Sequence, residues 1–153
     1  MKIYLDTNVI CRPFDDHTQE KIANEITAIS RMFIYIGSRM FDAVISDAVL
    51  AELTLIENPI KRELVKLLTT EIIMKRVPLG DTEIMIADSL QDKCKINDYM
   101  DTLHIASAAT ANCEYFVTCD DELTTKAALI KKELIKLGYQ LEIVNPLDLT
   151  KED

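Results

Sequence analysis

The sequence predicts an α/β fold built on a mainly parallel sheet. Short apolar runs recur along the chain, each the length of a strand buried on both faces. Longer amphipathic segments, with apolar residues three and four apart, separate those runs. Only three glycines and four prolines occur in 153 residues, with no repeat, low-complexity tract or linker, so one domain is expected.

The first run, Lys2 to Leu5, stands at the very start of the chain. Phe41 to Ile45, Tyr115 to Val117 and Leu141 to Val144 are further strands, and Ile72 to Val77 is read as another. Thr18 to about Arg39 is a helix, because Ile22, Ile26, Ile29, Phe33 and Ile36 fall on one face. Ala48 to Ile56 is a helix behind the capping pair Ser46-Asp47. Ile60 to Leu68 follows Pro59, which suits a first helical turn. Thr82 to Lys93 follows the Gly80-Asp81 break, and Asp98 to Ala111 offers Leu103, Ile105, Ala106 and Ala109 for packing. Leu123 to Leu137 is read as one helix stopped by Gly138. Asn145-Pro146 closes the last strand.

Composition excludes several classes. Charges interrupt every apolar stretch well before it could span a bilayer. The start, MKIYLDTN, meets an aspartate too early for a secretory signal, so a cytoplasmic protein with no membrane association is expected. Cys11, Cys94, Cys113 and Cys119 form no CxxC pair, and the only histidines are His17 and His104, which argues against structural zinc and for reduced thiols. The net charge of −9 argues against a broad basic nucleic-acid surface and suits divalent cations or a basic protein partner.

Four carboxylates fall where a site can form. Asp6 ends the first strand, and in open parallel sheets ligands bind at the carboxyl ends of strands. Asp120 repeats that placement after Val117-Thr118-Cys119. Glu52 and Asp101 ride on helices able to pack beside those strand ends. Each has a competing role. Asp6 can cap a helix with Thr7 and Asn8, Glu52 can lie on a solvated face, and Asp98 and Asp101 can serve a helix start. Asp121 and Glu122 compete with Asp120. Acids gathered in one place repel unless a cation or proton neutralises them. Hard cations such as Mg²⁺ and Mn²⁺ prefer oxygen ligands and activate water against phosphodiesters.

YLDTNVI, SDAVLAEL, MDTLHIASA and FVTCDDEL, in that order, resemble the four motifs of the PIN domain, and Asn145-Pro146-Leu147 resembles its ending. The stretch Arg12-Pro13-Phe14-Asp15-Asp16 is similar to a bacterial and archaeal subgroup. The resemblance runs from Met1 to about Leu149, giving one PIN-like nuclease domain over 1–149 and a tail at 150–153. It implies a three-layer α/β/α sandwich with a mainly parallel central sheet. It implies acids that bind one or two Mg²⁺ or Mn²⁺ ions and cleave single-stranded RNA, such as a tRNA or rRNA, leaving a 5′-phosphate. Many small members are VapC-type toxins of type II toxin–antitoxin pairs, dimeric and blocked by a small antitoxin. Carried over by motif, Asp6, Glu52, Asp101 and Asp120 are the catalytic acids and metal ligands, with Asp6 and Asp101 holding the principal metal. Asn8 and Thr118 are supporting residues, and His104 is read as a packed or hydrogen-bonded histidine, not a general base. Arg12, Arg31, Arg39, Lys61, Arg62, Lys75 and Arg76 are candidates for a local RNA groove, against the default of ordinary solvated charges.

Three rivals stand beside this reading. One is an RNA-processing PIN nuclease with no antitoxin. Another is an inactive module that binds RNA or protein. The third is a haloacid-dehalogenase-like phosphatase, which expects an aspartate where this chain has Asn8.

Overall fold

The structure is a computed structural model, and it describes residues 1–73 and 75–150. Five strands form one sheet: β1 (Lys2–Leu5), β2 (Asp42–Ser46), β3 (Lys75–Val77), β4 (Tyr115–Val117) and β5 (Glu142–Val144), in the order β3-β2-β1-β4-β5. Every neighbouring pair is parallel, with Ile3 opposite both Ala43 and Tyr115. The central strands are apolar on both faces: Ile3, Tyr4, Leu5, Ala43, Val44, Phe116 and Val117 are buried. The edges carry charge, with Lys75 and Arg76 exposed on β3 and Glu142 on β5, which discourages pairing with another chain's edge.

Nine α-helices connect the strands among the described residues: α1 (Thr7–Cys11), α2 (Glu20–Gly37), α3 (Asp47–Leu53), α4 (Pro59–Ile72), α5 (Asp81–Cys94), α6 (Tyr99–Thr110), α7 (Asp121–Thr125), α8 (Ala127–Lys136) and α9 (Pro146–Leu149). A 3₁₀ turn, Arg12–Phe14, follows α1. Parallel neighbours require crossovers, and right-handed crossovers place helices on both faces of such a sheet. Helices α5, α6 and α8 pack together, and α2 packs with α4 and α9. The expected three-layer α/β/α sandwich is therefore the observed one.

The strand order reverses between β1 and β4. The chain leaves β1 toward β2 on one side and leaves β4 toward β5 on the other. Connections depart in opposite directions there and open a crevice outside the carboxyl ends. Asp6 and Asp120 stand just beyond those two ends.

Two expectations need correction. Ile72 belongs to α4, so the strand read from Ile72 begins only at Lys75; the intervening Met74 lies outside the described residues. The helix read over Leu123 to Leu137 is two helices meeting at Lys126. Lys126, at φ −90° and ψ 6°, leaves helical geometry there, and the Thr124 hydroxyl donates to the Asp121 carbonyl at 3.2 Å in the last turn before it. Gly138, at φ +93°, ends α8 in the left-handed conformation that glycine adopts without strain. Thr150 is buried and donates to the Pro146 carbonyl at 2.9 Å, so the packed chain reaches 150; residues 151–153 lie outside the described residues.

Candidate functional site

Asp6 is 2% exposed and carries the densest set of bonds at the switch point. Its Oδ1 accepts the Thr7 amide at 2.7 Å, so it does cap α1. Its Oδ2 accepts the Thr118 hydroxyl at 2.8 Å and the Asn8 amide at 3.1 Å. The register brings this about, since Leu5 lies opposite Val117 and the next residues face one another. Asn8 is used at both ends, because its Oδ1 accepts the Cys119 amide at 2.9 Å. Thr118 Oγ1 also accepts the Asp120 amide at 3.0 Å, so one hydroxyl joins the loops carrying both acids. Burial pushes the Asp6 carboxyl above its ordinary value and Glu52 adds to this, while His104 and Thr118 oppose it.

Glu52 lies on α3 and reaches the same place. Its Oε1 accepts the Thr7 hydroxyl at 2.8 Å and is also hydrogen-bonded to Nε2 of His104. That nitrogen is 3.8 Å from Asp6 Oδ1. Burial works to raise the Glu52 carboxyl, but the His104 bond and charge, with Thr7, outweigh it and hold it below the usual range. Burial works to lower His104, but its bond to Glu52 and the charges of Asp6, Glu52 and Asp101 hold it above its ordinary value. One ligand atom each from Asp6, Glu52 and His104 lie within 4.8 Å of one another, close enough to hold a metal ion.

Asp101 lies in the first turn of α6, which Asp98 caps through the Met100 amide at 2.9 Å. Burial pushes the Asp101 carboxyl up to about 8, and the charges of Asp6, Asp98 and Asp120 add to the push. Asp101 therefore sits within the field of both strand-end acids. Asp120 caps α7 by accepting the Glu122 amide at 2.8 Å. Asp121 turns outward to Lys21 Nζ at 2.8 Å, with 76% of its side chain exposed. Of the adjacent aspartates, Asp120 is the one coupled to Asp101.

The basic residues read as groove candidates are dispersed. Arg12 pairs with Asp15 at 3.1 Å and stands 3.4 Å from buried Glu25. Lys61 pairs with Asp15 at 3.3 Å, Arg76 with Asp47 at 3.4 Å, and Arg62 donates to the Ile56 carbonyl at 3.1 Å. Arg31, Arg39 and Lys75 are exposed. Lys61 stands near the acids: Cys11 feels the charges of Lys61, Asp15, Glu52 and Asp6 together.

Sequence reasoning left the partner of His104 unnamed, took Thr7 and Ser46 as capping residues only, and passed over Tyr4. His104 is both buried and hydrogen-bonded, as read, but its partner, Glu52, is one of the four acids and was not foreseen. A signal was present: His104 is three residues after Asp101, which puts both on one helical face.

A family model described as the PIN domain matches residues 3–129. The chain belongs to the PIN domain family. PIN domains are in general nucleases, and the acidic cluster fits that chemistry. No curated protein matches the sequence. Among solved structures, this PIN domain resembles a chain in the crystal structure of VapBC2 from Rickettsia felis bound to a DNA fragment from their promoter. The TM-score is 0.63 at 15% identity, over 95% of this chain and 98% of that one, a likeness of fold. No helix among the described residues is long and apolar enough to cross a membrane.

Proposed function

We propose that this PIN domain is a Mg²⁺- or Mn²⁺-dependent endoribonuclease that hydrolyses phosphodiester bonds of single-stranded RNA, such as a tRNA or rRNA loop. The observation that carries the reading is the convergence of Asp6, Glu52 and His104, with one ligand atom each within 4.8 Å of one another, beside Asp101, whose carboxyl is pushed up to about 8 by burial and by the charges of Asp6, Asp98 and Asp120. Folding has gathered acids that repel one another at the switch point of the sheet. A divalent cation relieves that repulsion, and an all-oxygen donor set suits a hard ion.

In this reading Asp6 and Asp101 hold the principal ion, and Glu52 and Asp120 complete the site directly or through water. The ion would lower the pKa of a bound water and stabilise charge on the phosphate. Thr118 and Asn8 fix the Asp6 carboxylate by donating to one of its oxygens. The phosphatase rival loses ground here: both ends of the Asn8 amide are engaged, so nothing at that position moves a proton.

We further read the chain as the toxin of a type II pair, cytoplasmic and homodimeric, with a small antitoxin as partner. The fold likeness to a chain of a VapBC2 structure supports that reading. So does the charge of −9, which suits an antitoxin with a basic segment. Four free cysteines suit a reducing compartment. Ile60, Leu64 and Leu67 are 73%, 46% and 61% exposed on one face of α4, an apolar stripe that a second copy would cover.

Cleavage of a panel of RNAs with Mg²⁺ or Mn²⁺ tests the activity. Wild type should cut at least one RNA, and Asp6→Asn and Asp101→Asn should not. Undiminished cutting by both variants in chelator would overturn the reading.

A further inference from the structure

We propose that His104, braced from behind by Tyr4 and Ser46, is a positioning residue that fixes the Glu52 carboxylate. This rests on the reading of Glu52 as a metal ligand given above. Tyr4, Ser46 and His104 are each fully buried. The Tyr4 hydroxyl is 2.7 Å from Ser46 Oγ and 2.8 Å from His104 Nδ1. Ser46 Oγ also accepts the Ala48 amide at 3.1 Å, which caps α3, the helix that carries Glu52. The chain Ser46–Tyr4–His104–Glu52 thus joins β2, β1, α6 and α3, and it begins and ends on the β2–α3 segment. Tyr4 is further seated by stacking on Phe116, with ring centroids 5.4 Å apart.

The bonds at Glu52 are one-sided. His104 Nε2 and the Thr7 hydroxyl both engage Oε1, and among the described residues no hydrogen bond reaches Oε2. One oxygen is gripped and the other is left for a cation or a water. His104 is not itself the ligand in this arrangement. A carboxylate only accepts, so Nε2 carries the proton of its bond to Glu52, and Nδ1 is taken by Tyr4. Neither ring nitrogen keeps a lone pair directed at an ion. Partners of this kind, standing behind a metal ligand, typically change metal affinity about 10–100-fold when removed.

The test is Mn²⁺ affinity, measured by the electron paramagnetic resonance signal of free ion, on wild type and on Glu52→Gln, His104→Leu, His104→Gln and Tyr4→Phe. Thermal melts run in parallel, and Tyr4→Phe keeps the ring and its stacking should His104→Leu fail to fold. Positioning predicts that His104→Leu and Tyr4→Phe weaken Mn²⁺ about 10-fold or more. His104→Gln, which keeps an N–H donor, should recover part of the loss. Unchanged affinity in His104→Leu and Tyr4→Phe, with Glu52→Gln weakened, would overturn the positioning role and leave the metal reading standing. Equal and complete loss in His104→Leu and His104→Gln, with Tyr4→Phe normal, would overturn it in favour of a direct ligand. Unchanged affinity in Glu52→Gln would overturn both the role and the metal reading of Glu52.

Discussion

The Thr118 hydroxyl donates to Asp6 Oδ2 at 2.8 Å across 112 positions of sequence. The same oxygen atom of Thr118 accepts the Asp120 amide at 3.0 Å and the Asn8 side-chain amide at 3.2 Å. A fully buried hydroxyl therefore ties the ends of β1 and β4 together and aims one acid. Thr118→Val keeps the shape and removes all three bonds. It should cost about 1–3 kcal/mol in urea unfolding, the range for leaving buried polar groups unsatisfied. Cleavage should fall about 10–100-fold with it. Unchanged stability and activity would show that the tie is idle.

Asp101 sets the expected pH dependence. Its carboxyl rises from an ordinary value of 3.8 to about 8 in the folded protein. Between those values the folded chain holds a proton that the unfolded chain has released, so the stability of the metal-free protein falls as pH rises through this window. Asp6, raised by burial, acts in the same direction. So does His104, whose raised value adds stability below its ordinary 6.5 that is lost above the folded value. Glu52, lowered, contributes stability that is fully present above its ordinary 4.5 and is lost as pH falls below it, so it adds no slope between pH 5 and 8. Metal-free melts from pH 5 to 8 (roughly the span of ordinary carboxylate and raised values) should decline with pH. Asp101→Asn should flatten the decline, and added Mn²⁺ should reverse it by binding the deprotonated site. A flat wild-type profile would contradict the crowding of acids.

A second buried charge lies beneath the site. Glu25, fully buried on α2, faces Arg12 Nε at 3.4 Å and accepts the Asn145 amide at 2.7 Å. Arg12→Met leaves that carboxylate without its cation and should cost about 3–5 kcal/mol. The double variant Arg12→Met with Glu25→Met should recover most of the loss, because no lone charge remains buried. Denaturant unfolding of the four proteins of the cycle measures it. Additive losses would show that the two residues do not act as a pair.

The apolar stripe on α4 tests the homodimer. Leu64→Glu with Leu67→Glu should convert a dimer to monomer in sedimentation velocity. Wild type that sediments as a monomer at every concentration would remove the stripe from the account.

Much of this was legible in the chain because the signals are local. Apolar runs mark strands buried on both faces; Asp6 follows the first directly, and Asp120 follows another after Thr118-Cys119. What stayed hidden depends on contacts between distant segments. Glu25 sits on the helix face read as apolar, and nothing near it in sequence announces Arg12 and Asn145 as its partners. The His104–Glu52 bond spans 52 positions, so the histidine read as packed or hydrogen-bonded with no partner named. Ile72 fell within a continuous apolar stretch, whose periodicity does not separate a strand from a buried helix end. Capping does not take Asp6 and Asp120 out of the candidate site, since each caps a helix with one oxygen.

The central claim is that the fold gathers these carboxylates to hold a divalent ion. Anomalous diffraction from crystals soaked in Mn²⁺ tests it most directly. The account predicts a peak at about 2.0–2.2 Å, the reach of small hard cations to oxygen, from carboxylate oxygens of Asp6 and Asp101, lost in Asp101→Asn crystals. A Mn²⁺ peak at other acids alone, with Asp6 and Asp101 free of metal, would contradict it.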